Sequence, residues 1–370
     1  MGKSAELLSA DASVLTPDAW RDAGRAPLTA AEITAYLVGA AIWAPSVHNT
    51  QPWWFAADGG GIALYADAAR QLSVADPSGR EMMISCGAAL FTAKLALRSL
   101  GFVVETRVLP EGTNPLLIAR LRWRRRAAPA GFELRLFSQV TRRRTHRGGF
   151  EPLPLMPGLL SALRQGAERD GAALRVAADV ASTAALAAVV EMAERVQRSD
   201  SGYARELAAW APPPGSLRPD GVSPSSYPAR PDRTSPDFPG RDFARGHGWG
   251  LPASSPAGAA LYTGVVCLLT TPEDTPADWV HAGHALQRIL LTSASYGAAA
   301  ALYSQPVEVG WLREMIRVQL GDGSYPQLVL RLGTVIQNAV SVRRPPGSVL
   351  LTSAGRSLPS PGSSQSSGDG

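Results

Sequence analysis

The residues Ala44-Pro45-Ser46-Val47-His48-Asn49-Thr50-Gln51-Pro52-Trp53 set small polar side chains between two prolines. Ser, Asn and Gln offer donors and acceptors to an extended ligand, and the prolines limit the entropy lost on binding. The same residues also make an ordinary turn before a strand. A basic run follows at Arg142-Arg143-Arg144-Thr145-His146-Arg147-Gly148-Gly149-Phe150. Forked guanidiniums beside a hydroxyl and a Gly-Gly pair can close around a phosphate. Arg343 and Arg344, far along the chain, add further positive charge. Any isolated Arg run also reads as a solvated loop, and Arg122, Arg124, Arg125 and Arg126 form another. No nucleic-acid motif accompanies them, so nucleic acid is not the expected partner.

His281 and His284 stand three apart at a helix start, a spacing two metal ligands can use, yet no HExxH pattern or nearby third ligand completes a site. Helix-start packing residues are the expectation, with no metal. Cys86 and Cys267 lie far apart in apolar runs and read as buried hydrophobes rather than a disulfide or redox pair. The sequence has no P-loop, no GxGxxG after a strand and no GxSxG elbow, which argues against the folds built on those motifs.

Positioning these groups falls to a repeated unit. Gly87/Gly283, Ala89/Ala285, Leu90/Leu286, Leu95/Leu291, Ser99/Ser295, Gly101/Gly297 and Pro110/Pro306 share one offset, 196. In each copy apolar residues recur at helical spacing and stop at a glycine, the pattern of a core helix with a glycine cap. A strand-like run comes after each, Pro115 to Leu121 and Pro326 to Leu332, apolar with an arginine at the corresponding place. Both runs are expected to be strands covered on both faces. Ile62 to Tyr65 and Val265 to Thr270 read as further strands.

The chain of 370 residues is long enough for two domains; 45% hydrophobic and 18% charged residues are those of a globular protein. Thirty-six Gly and 30 Pro require long irregular stretches. One is the segment 210–256, rich in Pro, Ser, Gly, Asp and Arg but carrying Tyr227, Phe238, Phe243 and Trp249, which reads as an ordered loop, a lid, or else a flexible connector. Residues 352–370 read as a disordered tail. The N-terminus lacks the apolar core of a secretory signal, and the longest apolar stretch, Leu286 to Tyr303, is broken by Gln287 and Arg288. A cytoplasmic protein without a membrane span is expected. The net charge of +5 suits an anionic phosphate ligand as well as nucleic acid.

Residues 44–53 resemble the APSxxNxQPW loop of the nitroreductase superfamily, and Arg143 to Arg147 resemble its RRSxR flavin-binding start. Ala282 to Leu286, Ser304-Gln305-Pro306-Val307-Glu308, Pro326 to Gly333 and Arg343-Arg344-Pro345 fit as well. The order of the motifs, with the APS loop first, is similar to that of the Acg-type double-domain flavoproteins, whose single chain imitates a dimer. Asp220 to Val222 with Arg241 to Ala244 resemble that branch's lid.

The resemblance implies an α+β, nitroreductase-like fold: an extension at 1–27, a first half at 28–140, a second at 141–351 with the lid-like insertion, and a tail. It implies FMN held by Ser46, Asn49 and Gln51 from the first half and Arg143, Arg144, Thr145 and Arg147 from the second. Arg343 or Arg344 would stand near the phosphate, and Ser304, Gln305 and Glu308 beside the ring. NAD(P)H as co-substrate, a small-molecule acceptor such as a nitroaromatic or quinone, and a monomeric pseudo-dimer or weak homodimer follow from the same likeness, as does an alternative in which a lid sequesters FMN. No side-chain nucleophile is implied, because the flavin carries the chemistry.

Overall fold

The structure is a computed structural model that describes residues 28–110, 114–230, 232–252, 261–335 and 340–351. The expected extension at 1–27 and tail at 352–370 lie outside the described residues.

Two long helices organise it: α2 (Arg80–Ser99) and α7 (Pro276–Ser295), whose bounds differ by the repeat offset of 196. They cross at Gly87 and Gly283. A Cβ on Gly283 would come within 2.8 Å of the Gly87 Cα and closer still to the Ile84 carbonyl; a Cβ on Gly87 would meet the Gly283 Cα at 3.1 Å and, closer, the Val280 carbonyl. Ile84 and Val280 are themselves related by the offset, so the contact is reciprocal. Ile84 lies in the apolar core of the second half and Val280 in that of the first.

In the first half, α1 (Ala30–Ala41) and α3 (Gly131–Phe137) flank α2 over strands β1 (Trp53–Asp58), β2 (Gly61–Ala66), β3 (Phe102–Val108) and β4 (Leu117–Arg126). Thr29 and Glu32 close a capping box that starts α1. In the second half, β5 (Thr145–His146) precedes α4 (Leu159–Arg169), which packs on α7, and β6 (Ala173–Val176). Helices α5 (Val180–Ser199) and α6 (Ser201–Ala209) follow, then short strands β7 (Thr234–Ser235) and β8 (Leu261–Tyr262) and the sheet strand β9 (Val265–Thr271). After α7 come β10 (Ala298–Tyr303), α8 (Gln305–Glu308), α9 (Gly310–Gln319), β11 (Tyr325–Thr334), α10 (Pro346–Val349) and β12 (Leu350–Leu351).

The sheets run β12-β1-β2-β4-β3 and β5-β10-β11-β9-β6. Without the two-residue edge strands, both are the same antiparallel four-strand unit, β1-β2-β4-β3 and β6-β9-β11-β10. The edge strands are parallel additions at opposite ends of that unit: β12 returns from the C-terminal region to β1 of the first sheet, while β5 joins β10.

Two expectations are corrected. A strand, β3 or β10, stands between each long helix and the arginine-bearing strand that was read as following it. The first sheet is also not covered on both faces to the same degree. The outer face of β4 bears half-buried Arg120 and Arg122, and its end Arg124, Arg125 and Arg126 is exposed. The second sheet does lie between two layers: α4 and α7 on one face, and a cluster built from α5, α9 and Phe238 on the other. Among the described residues no helix is long and apolar enough to cross a membrane.

Candidate functional site

The polar loop after α1 keeps an unusual backbone. His48, Asn49 and Gln51 hold φ of 50°, 55° and 50°, the left-handed region that L side chains rarely adopt. Hydrogen bonds from three chain segments maintain it. The Gln51 amide donates to Ser46 Oγ at 2.9 Å. Asn49 Nδ2 donates to the Gly221 and Val342 carbonyls, and its Oδ1 accepts from Arg343 Nη1 at 3.1 Å. Gln51 Nε2 donates to the Pro219 carbonyl, while its Oε1 accepts from the Arg344 amide at 2.8 Å.

Two cavities adjoin at this loop, sharing Pro45, Ser46, Thr145 and Arg147 in their walls. The larger is walled by one face of α2 (Glu81, Ile84, Ser85), by Leu302 to Gln305, by Gln327 and Leu328, and by the 210–249 segment through Tyr227 and Gly240 to Ala244. The smaller is polar and is lined by Asn49, Arg143, Arg343, Gly221 and Ser226.

Positive charge concentrates at the smaller one. Among the described residues no carboxylate pairs with Arg143, Arg147 or Arg343. Arg143 and Arg343 are nevertheless buried, and Arg143 Nε and Nη1 and Arg343 Nε have no hydrogen-bond partner. Burial, then Arg144 and Arg147, push the Arg143 guanidinium down to about 9. Burial and Arg241 bring Arg147 to about 10, and burial with Arg143, Arg144 and Arg147 lowers Arg343 well below its usual value. Buried charges without partners cost several kcal/mol each. A phosphate monoester, with about −1.5 to −2 charge and three acceptor oxygens, is the kind of group that removes this cost.

The other wall is held by Arg241. It donates to Glu308, to Ser304 Oγ at 3.1 Å and to His48 Nε2 at 3.4 Å, and its guanidinium lies over the Tyr203 ring. His48 is buried against Phe243, and burial, then Arg241 and Arg147, hold its imidazole neutral well below the usual range. The 210–249 segment has an apolar cluster of its own, Val222, Tyr227, Phe243 and Ala244 against Leu72, Tyr203 and Leu207. Asp220 ties it to Arg70 at 2.9 Å.

Of the residues singled out from sequence, Ser46, Asn49, Arg143, Thr145, Arg147, Ser304, Gln305 and Arg343 line the cavities. Gln51, Arg144, Glu308 and Arg344 do not. Gln51 is fully buried among backbone groups. The Arg144 guanidinium lies over the Trp43 ring at 4.9 Å. Arg344 donates to the Gln51 carbonyl and lies over Trp54, and Glu308 sits behind the wall on Arg241 and Gln197. His48, Glu81, Ser85 and Tyr227 line the larger cavity and are not among the residues expected to bind the flavin. Glu81 and Ser85 stand at i and i+4 on α2, a weak signal because an acid in a first helical turn already has an ordinary explanation.

No family profile matches the chain. A Mycobacterium tuberculosis (strain H37Rv) protein named "Putative NAD(P)H nitroreductase Rv3131" is 32% identical over 310 residues, 84% of this chain and 87% of that protein. A second from the same organism, Acg, bears the same designation and is 28% identical over 302 residues, 78% of this chain and 85% of the other. Among solved structures, a nitroreductase with bound FMN from Desulfitobacterium hafniense aligns with a TM-score of 0.34 and 15% identity, over 56% of this chain and 92% of that one. By its identity to the first of these over most of its length, the chain belongs to the NAD(P)H nitroreductase family.

Proposed function

We propose that this protein is an FMN-dependent oxidoreductase that takes hydride from NAD(P)H and passes it to a small electrophile such as a nitroaromatic or a quinone. The observation that carries the reading is the pair of adjoining cavities, one walled by a mixture of apolar, aromatic and polar side chains, the other by buried guanidiniums that lack carboxylates. Arg143, Arg343 and Arg147 would hold the phosphate, with the Ser46 and Thr145 hydroxyls at the junction. Asn49, Gln51 and Arg344 fix the loop in its strained shape. Bound FMN supplies the hydride chemistry. Arg147, common to both cavities, would set its positive charge beside a flavin held there, whose reduced ring carries negative charge. Tyr227 and Phe243 keep water from the larger cavity. With α2 and α7 already packed on each other, one chain is proposed to act as a monomer.

A second reading, flavin storage under a closed lid, is favoured by one observation: Arg241 is buried and reaches from the 210–249 segment to Glu308 and Ser304. The deciding experiment is anaerobic stopped-flow of the FMN-loaded protein with NADPH and then NADH. Rapid bleaching supports turnover. Flavin that dithionite reduces and neither nicotinamide does supports storage, and a chain that retains no FMN sinks both. In the same preparation Arg343→Ala is expected to weaken FMN binding by about 30-fold, from roughly 2 kcal/mol of lost charge-assisted hydrogen bonding.

A further inference from the structure

Glu81 is not needed to hold a cofactor phosphate, nor does it close a helix end. It lies one turn below Ser85 on the cavity-facing side of α2, only 3% exposed. Its Oε1 accepts from Arg80 Nη2 at 2.9 Å, and its Oε2 has no partner at all. We propose that Glu81 is the general acid of the larger cavity, a neutral carboxylic acid that gives its proton to the oxygen of the electrophile being reduced.

The argument rests on a charge count around the side chain. Facing it are Arg80 on its own helix, Asp76 just before that helix, Glu308 on α8 and Arg241 from the 210–249 segment. Tyr203 on α6 stands within electrostatic reach. Arg313 on α9 is engaged by Asp274 at 2.6 Å and so adds little net charge. That leaves three carboxyl groups, Asp76, Glu81 and Glu308, around two guanidiniums, Arg80 and Arg241. Glu308 is bonded directly to Arg241 and to Gln197. Asp76 accepts the Met82 amide at 2.8 Å, a helix-start bond that works against the burial which raises its carboxyl to about 6, so at neutral pH it is mostly ionised.

Arg80 is itself divided among the Gln327 carbonyl, Gln327 Oε1 and the Val307 carbonyl. Glu81 is therefore the group that keeps a proton, and burial, then Glu308, raise its carboxyl well above the usual range. A neutral acid also fits both oxygens: Oε1, the carbonyl oxygen, accepts from Arg80, and the unpartnered Oε2 carries the hydrogen.

The balance is simple. A quinone that accepts one hydride at oxygen or carbon and one proton from Glu81 becomes a hydroquinone, and the Glu81 carboxylate left behind recovers its proton from water when the cavity opens. Other proton donors are less suited. The His48 imidazole is neutral with Nε2 accepting from Arg241, and the Tyr227 hydroxyl is raised from its usual range by burial. General-acid help of this kind contributes about 10²- to 10⁴-fold.

This inference rests on the oxidoreductase reading, so its test has one arm independent of flavin. In the apoprotein, infrared spectroscopy of the full chain should show a protonated-carboxyl band at neutral pH that Glu81→Gln removes. In the FMN-loaded protein, Glu81→Gln should leave reduction by dithionite intact and slow reoxidation by menadione about 100-fold, with the pH dependence of that step lost, while Glu314→Gln, on the exposed side of α9, does neither. A missing band, wild-type reoxidation in Glu81→Gln, or equal slowing in Glu314→Gln would overturn the assignment. A chain that binds no FMN defeats the flavin reading alone, and the band still reports whether Glu81 holds its proton.

Discussion

The two sheets are built on one four-strand plan and carry equivalent arginines, Arg120 on β4 and Arg331 on β11, at equivalent register. Arg120 lies opposite Ala63 of β2 and Arg331 opposite Val266 of β9. Their surroundings could hardly differ more. Arg120 reaches Asp58 at 3.3 Å with 38% of its side chain exposed. Arg331 is 1% exposed, enclosed by Phe150, Phe238 and Tyr303, and donates to Tyr303 Oη and to the Thr263 and Gly148 carbonyls. The difference shows where the duplicated unit has been elaborated. The second half gained α5, α6 and the 210–249 segment, which cover its sheet and build one wall of the site. The first half supplied the strained loop and Glu81. The residue that the repeat places opposite Glu81 is Ala277, so the acid has no counterpart on α7.

The sharpest way to break this comparison is at its axis. Gly283→Ala drives a methyl group into the Ile84 carbonyl and the Gly87 backbone, and α2 and α7 cannot separate without opening both cores. A loss of about 3 kcal/mol or more is expected. Urea unfolding should also show both halves melting together, because each core contains a residue from the other half's helix. A variant as stable as the parent would mean that the helices do not cross here.

The next largest effect separates the arginines. Arg331→Met leaves the Thr263 and Gly148 carbonyls and Tyr303 Oη without their donor and should cost about 3 kcal/mol. Arg120→Met removes a partly exposed pair and should cost less than about 1 kcal/mol. Equal losses in denaturant titrations would show that the outer face of the first sheet is as closed as that of the second.

Much of this plan is legible in the sequence, for definite reasons. The offset of 196 marks both long helices because close packing demands glycine at the same place in each, and the β-branched and aliphatic runs at Ile62, Val265 and Leu328 mark central strands. The two-residue strands β5 and β12 leave no periodic trace, so the return of β12 to the edge of the first sheet is invisible. Pro115 to Leu121 reads as a doubly covered strand because Leu116 to Ala119 are apolar without a break, although Arg120 within the run already lies on the outer face. Asn49 and Gln51 have the right chemistry for a ligand, yet much of their hydrogen bonding is spent joining the loop to residues 219–221 and 342–344, partners whose sequence separation exceeds 160 residues. Glu81 is hidden for a different cause: an acidic residue at a helix start has an ordinary explanation in the helix dipole.

The last effect, read against pH, concerns one break in symmetry beside the crossing glycines, where the first helix has Ala88 and the second has His284. His284 is buried edge-on to Phe91, and burial, then Lys94, His281 and Arg288, hold its imidazole neutral well below the usual range. The unfolded chain takes up a proton near pH 6.5 that the folded chain refuses, so the stability due to this site is complete above that pH and falls as pH drops through and below it. The expected slope is about 1.4 kcal/mol per pH unit from this residue. His48, neutral for similar reasons, contributes a like slope, while Asp76, raised by burial to about 6, opposes both by binding its proton in the folded state first. His284→Gln isolates the contribution: the variant and the parent should diverge in stability with pH, the variant's curve being the flatter between pH 6.5 and 5. Parallel curves would mean that His284 titrates in the folded protein as it does in water, and that the helix crossing is open enough to hydrate it.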